Sequence, residues 1–392
     1  MPRSSKPQVL IAGVGMLPVG EHWQQSLRGL AVQAIRLAQA DAPAMPRPQA
    51  IFVGNMLASS ASHQANLAAL VAEYANLVGI EGVTVEAAEA SGAAALRQAF
   101  IAIRSGLIET ALVLGVEKVT DHPAEDLDAL IARSLDSDYE SAIGLTPHSQ
   151  AALLMQRYIA EYAPSSEALG AFARISRSNG AGNPLAFRPQ PLSAEAYAKA
   201  PLQVPPFKTW DLAPVADGAA ALLLTRDDKL PKPLRQNALR VAGVALVTER
   251  LALHDRPDPL FFEAAAVSVQ EACRQAGIGL ADLDFFEYTD ATVLHALLSL
   301  EAAGFAPRGQ AWRLAQDGSL DRYGSLPVAT MGGSNARGFP LGAAGVYQLA
   351  EAALQLLGKA GACQIDHAQR ALVQSLGGTG TTAVTTILER LA

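Results

Sequence analysis

Thiols, aromatic rings and blocks of like charge are all scarce in this chain, and each scarcity excludes something. Only two of its 392 residues are cysteine, Cys273 and Cys363. Two isolated cysteines supply neither a disulfide framework nor the paired spacing of a zinc site, so each reads as a small buried hydrophobe. Charged residues make up 17% of the chain, with a formal net charge of −7 and no run of one sign, which argues against a nucleic-acid partner. No stretch reaches the roughly 18 to 20 uninterrupted apolar residues of a membrane-spanning helix. The N-terminal stretch "MPRSSKPQVLIAGVG" carries basic residues but only a short apolar run, which reads as a first strand rather than a signal peptide. These exclusions point to a soluble, cytoplasmic protein. Half of its residues are hydrophobic, enough for a large core or for two core units.

What is present is an alternation of short apolar runs with helical periodicity, the pattern of an α/β protein whose helices cover a sheet. "QVLIAGVG" (8–15), "AIFVGN" (50–55), "VTVEA" (83–87) and "TALVLGVE" (110–117) read as strands. Leu27, Leu30, Ala31, Ala34, Ile35 and Ala38 mark one face of a helix, and Leu96, Phe100, Ile103 and Leu107 mark another. Residues 63–77 also read as helical. From 118 to 210 the rhythm breaks into acidic loops, two helical stretches (149–162 and 166–178) and Pro-rich coil, a long insertion of the kind that usually carries function. "DGAAALLLT" (217–225) returns to strand. After a polar linker a second series runs from 238 to 392. It ends on "RALVQSLGGTGTTAVTTILERL", two strands joined by glycines. The strand closing the first half, at 217–225, echoes "GTGTTAVTTIL", which suggests an internal duplication into residues 1–225 and 238–392.

Motifs of the usual catalytic classes are missing. "GVGMLPVG" places Gly13 and Gly15 after a strand, but Pro18 stands where a dinucleotide fingerprint needs its third glycine. There is no P-loop, no Gly-x-Ser-x-Gly elbow and no metal-binding histidine pair. "VEAAEASGAAAL" (85–96) does draw attention. A strand leads into a Gly/Ala-rich helix, a junction where many enzymes set a nucleophile, and the residue at the junction is the acid Glu89.

Several segments, in order and at near-constant spacing from about residue 8 to 390, resemble the thiolase superfamily, nearest its sterol-carrier-protein-type and archaeal acetyl-CoA acetyltransferase-like members. "VEAAEASG" is similar to the family's nucleophile region, E-A-A-C-A-S-G. "EYTDATVLHALLSLEAAGF" resembles its E-x-H-D-C-F segment. "MGGSNARGFPLGAAG" resembles G-G-x-x-x-x-G-H-P-x-G-A-x-G, and "QSLGGTGTTA" resembles the closing glycine loop. The resemblance implies a duplicated five-layer α/β/α/β/α fold carrying an inserted loop domain. It also implies an acyl-CoA ligand, a homodimer paired through the strand at 83–87, and often a small OB-fold partner.

The departures are as consistent as the matches. The family's nucleophilic Cys falls at Glu89, its His at Thr289 (with Asp290 retained), its second Cys at Ala291, and the His of its Gly-His-Pro motif at Phe339. Thiolase chemistry needs a thiolate, a base to form it and a second acid/base group. A carboxylate cannot hold a stable thioester, and a phenyl ring moves no proton, so ordinary thiolase activity is not expected. An acyl-CoA carbon–carbon lyase of the retro-aldol kind, or a decarboxylase, would fit. So would a non-catalytic subunit or scaffold for a partner enzyme.

Within that frame the backbone N–H groups near Glu89 and at Gly377 and Gly378 are a candidate oxyanion hole. Glu89 is a candidate proton carrier, or an acid favoured by the first turn of its helix that keeps the site closed. Asp290 is a candidate catalytic acid or the N-cap of a helix beginning near Ala291. Tyr288 could offer a phenol as acid. His295, one turn into that helix, is expected to miss the pocket. Arg177, Arg188 and Lys208 lie in the insertion, where the family binds coenzyme A, and are candidates for its phosphates or simply solvated charges.

Overall fold

A computed structural model describes residues 7–391, so Arg3 and Lys6 of the basic N-terminal stretch lie outside the described residues. The first half runs β1 (Val9–Met16), α1 (Leu27–Asp41), β2 (Ala50–Gly54), α2 (Ala58–Ala61), α3 (Leu67–Tyr74), β3 (Glu81–Val85), α4 (Ser91–Ser105) and β4 (Thr110–Glu117). The excursion holds α5 (Ala124–Ile131), α6 (Pro147–Tyr162), α7 (Ser166–Gly180), α8 (Ala194–Ala198), and the small pair β5 (Leu202–Val204) and β6 (Phe207–Lys208). β7 (Gly218–Arg226) closes it. The second half runs β8 (Leu239–Thr248), α9 (Glu263–Ala276), β9 (Phe285–Glu287), α10 (Val293–Ala303), α11 (Ala311–Gln316), α12 (Gly333–Arg337), α13 (Ala344–Leu356), β10 (Arg370–Gly377) and β11 (Thr382–Arg390).

The strands lie in the order β3-β2-β4-β7-β1-β8-β11-β10-β9. Read outward from the centre, the two sides repeat each other. β1 pairs with β7 and β8 with β11, both antiparallel. β7 then pairs antiparallel with β4, as β11 does with β10. β4 pairs parallel with β2, as β10 does with β9. The two sides join where β1 meets β8 over Leu10–Arg240 and Ile11–Leu239. The echoing segments of the sequence are β7 and β11, which hold equivalent places in this repeat.

Period-two alternation on the strands splits the core into layers. On β4, Leu112, Leu114 and Val116 pack with α1 and α3, while Ala111 and Val113 face α4 and α13. On β10, Ala371 and Val373 share that central layer, whereas Leu372 and Leu376 face α9 and α10. The order α1/α3, sheet, α4/α13, sheet, α9/α10 is the five-layer arrangement. Full burial of each such side chain contributes about 1.5–3 kcal/mol. The central helices touch closely at Gly92, where a Cβ would lie 2.8 Å from Val346 and 3.0 Å from the Gly342 carbonyl. The excursion packs on the second half: Met155, Tyr158, Phe172 and Phe207 share a core with Leu294 and Leu297 of α10.

Some boundaries differ from the periodicity. The helix expected over 63–77 is shortened to α3 (Leu67–Tyr74), because His63 and Asn66 before it and Asn76 after it adopt left-handed backbone (φ 50°, 53° and 56°). The strand expected over 83–87 runs over Glu81–Val85, because the chain already turns at Ala88 (φ 50°). No helix among the described residues is long and apolar enough to cross a membrane.

Candidate functional site

The turn between β3 and α4 sets the site. Ala88, a residue with a Cβ, holds a left-handed conformation, a strain of order 1–3 kcal/mol that the surroundings must hold in place. Ser91 braces it, donating to the Ala88 carbonyl and accepting from the Ala87 N–H at 2.9 Å. Glu89 is not in the first turn of the helix: α4 begins at Ser91 with Ala90 as its N-cap, and its first turn holds no acid. Glu89 sits on the shoulder of the turn, buried, and its Oε2 accepts the Gly378 N–H at 2.6 Å. Burial raises its pKa above the usual carboxylate range, and the Gly378 N–H pulls the other way.

Glu89 opens on a narrow cavity of about 30 Å³. Thr289, Ala291 and Phe339 line the same cavity, so the four positions matched to the family's catalytic side chains converge. Their present chemistry is quiet. Thr289 ties β9 to β10 by accepting the Leu376 N–H at 3.0 Å. Phe339 packs with Leu57, Ile131 and Leu341. Neither cysteine lines the cavity; both are buried elsewhere.

Of the oxyanion candidates, Gly378 lines the cavity, but its N–H is held by Glu89 rather than open. Gly377 does not line it. That residue serves close approach: a Cβ there would stand 2.4 Å from the Ala87 carbonyl.

Asp290 does not cap the helix that follows it. Thr292 is the N-cap of α10. The Asp290 carboxylate instead accepts from the Ser334 and Asn335 N–H groups and from Ser176 Oγ at 3.1 Å, capping α12 and tying it to α7. The helix it stabilises is remote in sequence, which is why a local capping rule misassigned it. Tyr288 is fully buried and does not line the cavity; burial and the neighbouring Asp290 push its phenol well above its usual value, which removes it as a proton donor to the site.

Arg177, Arg188 and Lys208 do not line the cavity either. Arg177 and Arg188 stand over the Trp210 ring at 5.1 and 5.8 Å, and Arg177 Nε donates to the Gln190 carbonyl. Lys208 donates to the Ala198 carbonyl at 2.9 Å. These three cations hold the insertion together as folded here.

Two histidines also line the cavity. His295, expected to miss the pocket, lines it, because α10 starts at Val293 and points its first turn inward. Thr292 Oγ1 lies 2.9 Å from His295 Nδ1, and burial lowers the imidazole to about 4, so it is neutral at ordinary pH. His148 was not singled out by the sequence reading. It occupies the second position of α6, after Pro147, and its ring lines the cavity from the insertion. Its Nδ1 stands 3.4 Å from Asp128 Oδ1 of α5. A lone histidine in acidic, aperiodic sequence carries no motif; only the Thr-Pro helix start at 146–147 hinted at its placement. Among the described residues no cluster of His, Cys, Asp or Glu could hold a metal ion.

Fold and site together define a duplicated α/β protein with one cavity at the head of its central helix pair, walled by both halves and the insertion. The chain belongs to the thiolase family: residues 9–188 match the thiolase N-terminal domain, and residues 245–390 match the thiolase C-terminal domain-like family. It is 33% identical over 383 residues to an acetyl-CoA acetyltransferase of Methanothermobacter thermautotrophicus, covering 97% of this chain and 99% of that protein. It is 26% identical to sterol carrier protein 2 of Rattus norvegicus, covering 97% of this chain and 71% of that protein. Among solved structures it resembles one described as an Ltp2-ChsH2(DUF35) aldolase, with a TM-score of 0.83, 24% identity and 98% of each chain covered.

Proposed function

We propose that this protein binds an acyl-CoA thioester and acts on it without covalent capture, cleaving a carbon–carbon bond in the retro-aldol sense. One observation carries this reading: an acid, Glu89, replaces the thiol at the strand-to-helix turn of a cavity that contains no cysteine. Without a thiolate there is no acyl-enzyme and no ordinary thiolase cycle. A carboxylate can instead take the β-hydroxyl proton of a 3-hydroxyacyl-CoA. The Cα–Cβ bond then breaks, the β carbon leaves as a carbonyl, and the electron pair remains on the thioester as an enolate. Decarboxylation fits less well, since a substrate carboxylate would meet Glu89 as a like charge. That an aldolase is known on this fold adds support.

The test is incubation with a panel of 3-hydroxyacyl-CoA esters, assayed for a released carbonyl compound and a shortened acyl-CoA. Glu89→Gln should bind the active ester but lower turnover by at least about 100-fold. Thiolysis of acetoacetyl-CoA at an ordinary thiolase rate would overturn the reading.

A second reading is favoured by the Glu89–Gly378 hydrogen bond, which occupies the candidate oxyanion donor from within: a thiolase-like subunit that supports a partner enzyme. Under either reading the partners are an acyl-CoA and a second copy of the chain. β3 is an edge strand with exposed residues, suited to pairing across a two-fold axis. A small OB-fold protein is the further partner, in line with the two-protein description of the aldolase structure. The setting proposed for this chemistry is the cytoplasm, without membrane or nucleic acid.

A further inference from the structure

The family position that would carry an imidazole beside residue 89 is filled by Phe339, yet a retro-aldol step needs a second proton carrier to protonate the enolate carbon. Three titratable side chains line the cavity: Glu89, His295 and His148. Glu89 is engaged at the β-oxygen in the reading above. His295 is fixed by Thr292 at Nδ1, and its burial keeps it without a proton at neutral pH. His148 differs in both respects. Its side chain is a quarter exposed, so it can exchange protons with solvent, and its Nδ1 faces the Asp128 carboxylate, which leaves Nε2 for the cavity. It lines the same cavity as Glu89 and His295.

We infer that His148, oriented by Asp128, is the second catalytic residue of this site, and that the insertion supplies the imidazole the Phe339 loop lacks. The inference rests on the acyl-CoA reading above. Glu89 takes the β-hydroxyl proton as the Cα–Cβ bond breaks. The imidazolium of His148 then gives its Nε2 proton to Cα, the enolate pair forming the new C–H bond. Protons pass from Glu89 to solvent and from solvent to His148, which resets both groups, and nothing is oxidised or reduced. Asp128 is a positioning residue: a carboxylate on Nδ1 sets the ring orientation and tautomer that present Nε2.

The reverse half of this step can be followed without the true substrate, using propionyl-CoA in D₂O. His148 removes an α-proton and returns a deuteron, read by mass spectrometry, while calorimetry reads binding. The wild-type protein should exchange the α-protons. His148→Gln and His148→Asn should each slow exchange by at least about 100-fold, with affinity changed less than about threefold. Asp128→Asn should slow exchange by roughly tenfold at unchanged affinity, and Asp128→Glu should recover most of it. Exchange by both His148 variants at the wild-type rate, or wild-type protein that binds propionyl-CoA without exchanging it, overturns the role of His148 and leaves acyl-CoA binding standing. Wild-type protein that binds no acyl-CoA overturns the acyl-CoA reading itself, and the role of His148 with it.

Discussion

Glu89 and Phe339 decide most of what this cavity can do, and both can be exchanged. Glu89→Cys alone should restore little reactivity. A free thiol titrates near pH 8.5, and an apolar, buried setting disfavours the thiolate further. Adding Phe339→His should place a base in the same cavity, since both positions line it. The double variant should therefore alkylate with iodoacetamide at neutral pH several-fold faster than Glu89→Cys. Equal rates would mean that residue 339 does not act on residue 89. His295 makes a separate statement about stability. Burial depresses its folded value to about 4, against about 6.5 unfolded, so the unfolded chain binds the extra proton first as the pH falls. Stability should fall between pH 6.5 and 4 by up to roughly 1.4 kcal/mol per pH unit from this group. Denaturant titrations of His295→Gln should show a shallower acid slope over that window. An unchanged slope would mean that the ring is solvated or already charged in the fold.

Strands and helices were the most legible parts of this chain, because each carries its own period. The strand at 110–117 and the closing hairpin are where the apolar runs put them, and the β7–β11 echo reflects equivalent places in two repeats. The convergence of residues 89, 289, 291 and 339 was legible too, through motif spacing rather than periodicity. What escaped was set by contacts remote in sequence. Asp290 looks like the cap of the next helix, yet it caps α12, more than forty residues on. His148 sits in aperiodic insertion sequence, and only tertiary packing turns it toward the cavity. β3 is the element with the clearest consequence for assembly. Its residues are largely exposed although it continues the sheet, an edge that would remain unpaired in a monomer. Sedimentation at micromolar concentration should show twice the 41 kDa chain mass, and Val83→Lys, a charge on the exposed edge, should shift the protein toward monomer. A wild-type protein that sediments only as the single chain would exclude pairing through this strand.

At the scale of the whole molecule, the cavity is a joint. Glu89 comes from the first half, Gly378, His295 and Phe339 from the second, and His148 and Ile131 from the insertion. A ligand seated there contacts all three, and the unfolded chain has no such site. Binding should therefore stabilise the fold by mass action, by about 2.7 kcal/mol at a ligand concentration one hundred times the Kd. Propionyl-CoA should raise Tm more than free CoA at equal concentration, because only the thioester carries an acyl group into the cavity. The joint itself hangs on a close backbone approach. The Gly377 backbone, from the second half, passes so near the Ala87 carbonyl of the first that a Cβ would sit 2.4 Å from it. Gly377→Ala must push the glycine loop off the turn that holds Glu89, at a cost of roughly 1–3 kcal/mol. It should also lengthen the Glu89–Gly378 hydrogen bond and abolish the propionyl-CoA shift while the protein stays folded at room temperature. Gly361→Ala, at a left-handed glycine (φ 58°) where an added Cβ meets nothing, strains the chain without touching the joint. It should lower Tm by a similar amount and keep the shift. If both variants retain the ligand response equally, the two halves do not meet through residue 377 to form the binding site.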